Sequence, residues 1–228
     1  MKLVMFDIDG TLTASNDLDD LAFVQTVQDI FGIRDISEDW ATYTHVTDAC
    51  ILREICERQI GRIPNSEEIA LFQKQLLQRL AQGAVREGGV FPIAGADALL
   101  EQLQASPDYQ FCYAGGAWTA SVQFKLQSAE LPFADIPHAF ADDHDSREGI
   151  CQIALDRAQA TYQQIFTHVI YVGDGIWDVR ASKNLGYPFI GIATGEDAQR
   201  LKAEGAPVVL PHYEDLQAFW DALVAIAP

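Results

Sequence analysis

Apolar residues run unbroken from Leu3 to Phe6 and stop at Asp7. A short apolar run ended by polar residues predicts a strand over Lys2–Phe6, covered on both faces. The period then changes. Phe23, Val24, Val27, Ile30 and Phe31 recur at helical spacing, which predicts a helix capped by Asn16 or Asp17 and stopped by Gly32. A second helix fits Asp48 to Ile60, ended by Gly61, and a third fits Ser66 to Gln82. There Asn65 and Glu68 have capping-box spacing, while Ile69, Phe72, Leu76 and Leu80 line one face. Because no strand pattern interrupts this stretch, residues 15–87 are expected to form a helical insert, hinged near 14–17 and 86–91.

From Gly88 onward short β-rich runs alternate with helical ones. Strands are expected near 109–114, 136–140, 168–172, 188–193 and 206–210. Helices are expected near 95–105, 117–130, 147–160, 176–185, 196–204 and 213–226. Such alternation implies βαβ units and a mostly parallel sheet with helices on both faces. The expected fold class is α/β, with a Rossmann-like core domain of residues 1–14 and 88–228 and an α-helical domain of residues 15–87.

Composition narrows the picture. With 228 residues and 49% hydrophobic content, the chain can bury one full core plus a smaller insert, which excludes a staple-dependent mini-protein or a mainly disordered chain. Asp7 and Asp9 break the apolar opening, so it is expected to be neither a secretory leader nor a membrane span, and the protein to be cytoplasmic. The 33 acidic residues against 15 basic ones give a net charge of −18, so nucleic acid and anionic membranes are not expected partners. A small anionic substrate stays compatible, because a bound cation dominates the field inside a cleft. Cys50, Cys56, Cys112 and Cys151 form no CxxC pair and are expected to be reduced, partly buried thiols. The histidines His138, His144, His168 and His212 show no zinc-ligand spacing.

In an open parallel sheet, ligands bind outside the carboxyl ends of the strands. The first strand delivers Asp7-Ile8-Asp9-Gly10-Thr11, the run Val169–Val172 delivers Gly173, Asp174, Gly175 and Asp178, and Phe111–Tyr113 delivers Ala114, Gly115 and Gly116. One sheet edge therefore gathers at least four carboxylates, which calls for a hard, oxygen-seeking divalent ion; magnesium is the expected cofactor. A carboxylate beside such an ion can attack phosphorus, and a second one two residues on can carry the proton.

These motifs, in this order, resemble those of the haloacid dehalogenase superfamily, in its phosphatase-type, phosphoglycolate phosphatase-like branch with a helical cap after the first strand. The resemblance implies that Asp7 is the nucleophile, forming an aspartyl-phosphate, and that Asp9 is the general acid and base. It also implies magnesium ligands from the Asp7 side chain, the Asp9 backbone carbonyl and Asp174, with Asp178 as a direct or outer support. Thr11, Gly115, Gly116 and Arg147 are expected to hold phosphate. Arg147 is preferred to Lys125 as the basic residue of the third motif, since it stands before a helix and its fork suits a phosphoryl group. The family places Ser or Thr where the alignment gives Ala114. His45, Thr47 and Arg53 are candidate substrate contacts from the cap.

Three functions follow: magnesium-dependent hydrolysis of a small phosphate monoester, a phosphomutase resembling β-phosphoglucomutase, or a catalytically weak phosphometabolite-binding protein. The expected partner is a small phosphorylated metabolite. The sequence does not specify an oligomeric state.

Overall fold

A computed structural model describes residues 1–226 of the chain; the expected end of the core domain, at 228, lies outside the described residues. Strand β1 (Lys2–Phe6) is followed by helices α1 (Asn16–Phe31), α2 (Asp48–Ile60) and α3 (Ser66–Glu87). Then come α4 (Ala96–Ala105), β2 (Tyr109–Ala114), α5 (Thr119–Ser128), β3 (His138–Ala139), α6 (Arg147–Tyr162) and β4 (His168–Gly173). The chain ends with α7 (Ile176–Leu185), β5 (Phe189–Ile192), α8 (Gly195–Glu204), β6 (Val208–Leu210) and α9 (Leu216–Ile226).

Among the described residues, six strands form one sheet in the order β3-β2-β1-β4-β5-β6, every pair parallel. Residues alternate between its faces. Val4, Phe6, Phe111 and Tyr113 join a cluster with α4, α5 and α9, while Leu3, Met5, Cys112 and Ala114 join one with α6, α7 and α8. This two-sided burial explains why β1 reads as a continuous apolar run. The direction of strand progression reverses at β1, between β2 and β4, which creates the crevice where such sheets bind ligands.

Helices α1, α2 and α3 share a third cluster, built on Phe23, Leu52, Phe72, Leu76 and Leu80. Trp118 and Ala141, from loops at the sheet's carboxyl edge, complete that cluster, and the Phe72 and Trp118 rings lie 5.5 Å apart. The helical layer is thus packed down on the edge that carries the polar motifs.

Most elements fall where the periodicity puts them, and the differences have local causes. The capping box of Asn65 and Glu68 forms, but α3 runs on to Glu87, because Gly83 and Ala84 stay on its buried face and the left-handed stop comes only at Gly88. Strand β3 shrinks to two residues at the sheet edge. Helix α1 is preceded by Ser15, and neither Asn16 nor Asp17 caps it. The side chains of Ser15 and Asn16 are engaged elsewhere, in the crevice described next.

Candidate active site

Asp7 leaves β1 at the switch point, and its N–H donates to the Val172 carbonyl at 2.9 Å, which ties the motif to β4. Asp174 leaves β4 beside it. One carboxylate oxygen from each of Asp7, Asp174 and Asp178 lies within 4.8 Å of the others. The Gly10 turn makes this approach possible. Its φ is +68°, and a Cβ there would lie 2.0 Å from Asp174 Oδ2, so only glycine lets the two loops touch. Asn16 Nδ2 donates to Asp174 Oδ2 at 2.9 Å, which is the reason this asparagine does not cap its own helix.

Arg147, at the start of α6, spans the cluster. Its Nη1 donates to Asp7 Oδ1 at 2.9 Å and to Asp178 Oδ1 at 2.7 Å, while Nε donates to the Val46 carbonyl of the helical insert at 3.0 Å. The Tyr171 hydroxyl lies 3.0 Å from Asp178 Oδ1, and the Gly175 N–H donates to Asp178 Oδ2 at 3.0 Å. Both Asp178 oxygens are therefore satisfied by the protein.

Asp9 is held separately. Ser15 Oγ donates to its Oδ1 at 2.5 Å and Lys125 Nζ to its Oδ2 at 2.6 Å. Lys125 also donates to Asp19 Oδ1 of α1 at 2.8 Å.

Burial sets the electrostatics. It pushes the Asp7 carboxyl up to about 7 against the opposing pull of the Arg147 guanidinium, with the negative charges of Asp178 and Asp9 adding to the rise. Asp174 is raised well above the ordinary carboxylate range by burial and by the charges of Asp7 and Asp178. Asp178 is raised by burial despite Arg147. Native-state carboxylates with raised values bind protons that the unfolded chain has already released. The metal-free fold therefore loses stability as pH climbs through that interval, from about 4 to about 7. A divalent ion held by these carboxylates would compete with those protons, so if magnesium binds here it raises Tm more at about pH 8 than at about pH 5. Thermal melts with and without magnesium check this; a larger metal effect at the lower pH contradicts it.

The cluster opens into a cavity of about 130 Å³, close in size to one that accommodates a benzene ring. Six aspartates line it: Asp7, Asp9, Asp174, and from the helical insert Asp19, Asp20 and Asp48. Phe23, Trp40, Ile51 and Trp177 supply apolar walls, and Arg147 is the one basic residue among the described lining residues. Burial raises Asp20 to about 6 and Asp48 well above its usual range.

The sequence-predicted residues sort unevenly around this cavity. Asp7, Asp9, Asp174, Arg147, Gly116 and Thr47 line it, whereas Asp178, Thr11, Gly115, His45 and Arg53 do not. Thr11 is fully buried with its hydroxyl 3.5 Å from Asp174 Oδ1. The Gly115 N–H faces the Ala139 carbonyl at 3.3 Å, so that donor is engaged within the sheet. The Arg53 guanidinium grips Asp145 through two bonds of 2.7 and 2.9 Å, and the Thr47 hydroxyl donates to the Asp145 carbonyl at 2.8 Å. Those two residues fasten the insert to the loop before Arg147.

The alignment at Ala114 also changes by one residue. The Ala114 side chain packs into the layer under α6, while a Cβ on Gly115 would lie 2.9 Å from Asp7 Oδ1. Adjacent strand residues face opposite ways, so the position facing the Asp7 carboxylate is Gly115, which carries no hydroxyl. Sequence reading missed Ser15, Asn16, Asp19, Asp20, Asp48 and Tyr171 as parts of the site. Only their sequence proximity to the first motif, for Ser15 to Asp20, gave any signal.

An acidic crevice at the switch point of a doubly wound sheet, roofed by helices inserted after the first strand, defines a class of α/β enzyme with a carboxylate centre. The chain belongs to the haloacid dehalogenase-like hydrolases: residues 1–186 match that family's model. Among solved structures, a hydrolase from Pseudomonas syringae is 18% identical with a TM-score of 0.71, covering 97% of this chain and 98% of that one. CbbY from Rhodobacter sphaeroides in complex with phosphate is 17% identical with a TM-score of 0.65, covering 95% and 96% respectively. A CbbY mutant with xylulose-(1,5)bisphosphate reaches 18% identity and a TM-score of 0.70 over the same shares. No curated protein sequence matches. Among the described residues, no helix is long and apolar enough to cross a membrane.

Proposed function

We propose that this chain hydrolyses a small phosphate monoester with magnesium as cofactor, through an aspartyl-phosphate on Asp7. The observation that carries this reading is the convergence of Asp7, Asp174 and Asp178 within 4.8 Å, with the Arg147 guanidinium bridging Asp7 and Asp178, beside a cavity that Asp7, Asp174 and Arg147 line. So many hard oxygens with so few cations suit magnesium, and Asp7, Asp174 and the Asp9 carbonyl would hold it. Asp178, with both oxygens taken by protein donors, orients Arg147 instead. When bound, the ion would supply positive charge that offsets the repulsion of the attacking carboxylate and the phosphoryl oxygens.

The residues themselves divide the work. An Asp7 oxygen forms a bond to phosphorus as the ester P–O bond breaks, and the departing alkoxide takes a proton from Asp9. Asp9 then accepts a proton from water, whose oxygen bonds to phosphorus as the bond from phosphorus to the Asp7 oxygen breaks, releasing phosphate and restoring both carboxyl groups. Arg147 fixes Asp7 Oδ1 and presents charge to the phosphoryl group. Residues 15–87 act as the cap over a core of 1–14 and 88–228, excluding bulk water from the transfer. Four unpaired cysteines, three of them buried, suit a reducing cytoplasmic setting.

The cavity wall favours hydrolysis over the mutase alternative. A mutase returns the phosphoryl group to an already phosphorylated intermediate, bringing a second anion into a cavity lined by Asp20 and Asp48, with Asp19 already paired to Lys125 and Arg147 the one basic residue among the described lining residues. A binding-only protein has no use for Asp9 held by two dedicated donors.

Phosphate release from a panel of small phosphomonoesters, with and without magnesium, tests the reading. Esters with neutral or amine-bearing alcohols are expected to exceed carboxylated ones such as phosphoglycolate by about 10-fold in kcat/KM at about pH 8, because an added carboxylate meets Asp20, raised only to about 6 and so ionised there, in a cavity with Arg147 as the one basic residue among the described lining residues. Phosphorylated isomers without free phosphate would instead establish the mutase.

A further inference from the structure

Lys125 plays no part in the phosphoryl transfer just described, yet its side chain is fully buried, 0% exposed, one helix away from the nucleophile. An ammonium group is seldom placed where water cannot reach it unless its partners compensate fully. Here they do. Nζ donates to Asp9 Oδ2 at 2.6 Å and to Asp19 Oδ1 at 2.8 Å, and the pull of both carboxylates outweighs the burial that would drive the proton off.

These two partners belong to different parts of the molecule. Asp9 sits in the first motif of the core, Asp19 in the opening turns of α1, and the hinge that joins them contains Ser15, whose Oγ donates to the other oxygen of Asp9 at 2.5 Å. The Asp9 carboxyl is thus clamped at both oxygens. One donor comes from the hinge, and the other comes from a core helix that simultaneously grips the insert. Moving α1 away from the core separates Asp19 from Lys125 and frees one of the two groups that fix Asp9. Arg147 cannot substitute, because its bonds go to Asp7, Asp178, Tyr171 and Val46.

We propose that Lys125 is the positioning residue for Asp9, a salt-bridged strut that aligns the proton-carrying carboxyl only when α1 is seated on the core. The inference rests on the reading of Asp9 as the proton donor. It does not place Lys125 on the substrate or on the metal.

The test uses the leaving group. The full-length enzyme and its Lys125→Met variant are compared on glycerol 2-phosphate, whose alkoxide must be protonated as it departs, and on 4-nitrophenyl phosphate, whose phenolate needs little help. The value compared is kcat/KM, which covers the steps through alcohol release. The variant is expected to lose about 100-fold on the alkyl ester and less than about 10-fold on the aryl ester, as expected when proton donation is what has been impaired. Inhibition by inorganic phosphate and half-saturation by magnesium stay within about threefold, since neither depends on proton donation. Equal losses on both esters, or a loss confined to phosphate or magnesium binding, overturn the proposal.

If Lys125→Met does not fold, Asp19→Asn decides. It cuts the tie to α1 while leaving the pair with Asp9, and it must show the same leaving-group dependence in weaker form; uniform activity across the two esters overturns the proposal. Asp7→Asn in the same assay separates the two layers of argument. Magnesium-dependent hydrolysis surviving in Asp7→Asn refutes the reading of the site. Loss there, together with an ester-independent defect in Lys125→Met, refutes only the role of Lys125.

Discussion

Asp7→Asn is expected to lower magnesium-dependent phosphate release by about 10⁴-fold or more while leaving the fold intact, the scale on which single nucleophile removals act. The side chain keeps its shape, and the amide oxygen can still accept from Arg147 Nη1, which now reaches the carboxylate at 2.9 Å. What disappears is the anionic oxygen that bonds to phosphorus in the proposed mechanism. Stability should move the other way. Burial raises the Asp7 carboxyl to about 7, so ionising it at alkaline pH costs folding free energy that a neutral amide does not. The variant is therefore expected to match or exceed the native chain in metal-free melts at about pH 8. Phosphate release together with a melting curve checks both halves, and substantial turnover in the variant would remove Asp7 as nucleophile.

Arg147→Met should produce the largest loss of stability of any single substitution at the site. The guanidinium is the shared cation of Asp7 and Asp178, all three nearly or fully buried. Removing one member of a buried ionic group leaves the others uncompensated, at a cost of about 3–5 kcal/mol. An exposed pair such as Arg157 with Asp143 is worth less than about 1 kcal/mol, so Arg157→Met serves as the comparison. Protonation of Asp7 and Asp178 at lower pH relieves part of the penalty, so the deficit in urea unfolding should shrink from about pH 8 to about pH 5. Activity should fall as well, because the same guanidinium fixes the Asp7 oxygen and the Val46 carbonyl of the insert. A variant as stable as Arg157→Met across that range would show that the buried network is compensated by some other means.

Much of this centre was legible in the sequence because its parts follow apolar strands. A buried parallel strand needs an unbroken apolar run, and the first polar residues after it necessarily stand at the carboxyl edge, so Asp7, Asp9 and Asp174 announce themselves. Helix boundaries with a chemical signal were equally legible, as at Asn65 with Glu68 and at Gly32 and Gly61. Where two demands compete for one side chain, the local signal misleads. Asn16 has the right chemistry for a cap but bonds Asp174 instead, 158 positions away. Arg53 has the right charge for a phosphate but is bound to Asp145, 92 positions away. Ala114 ends its strand where a hydroxyl is expected, yet the pleat turns the next residue, Gly115, toward Asp7.

The sequence by itself determined the α/β architecture, the helical insert after β1 and the carboxylates that leave β1 and β4, since each depends on periodicity or on residues adjacent in the chain. The tertiary structure alone decided the charge pairing. It joined Lys125 to Asp9 across 116 positions and Arg147 to Asp7 across 140, and it turned Asp19, Asp20 and Asp48 of the insert into cavity wall. Periodicity says which residues are buried but carries no information on which distant charge is buried beside them. In a low-dielectric interior that pairing, far more than composition, sets what each carboxylate can do.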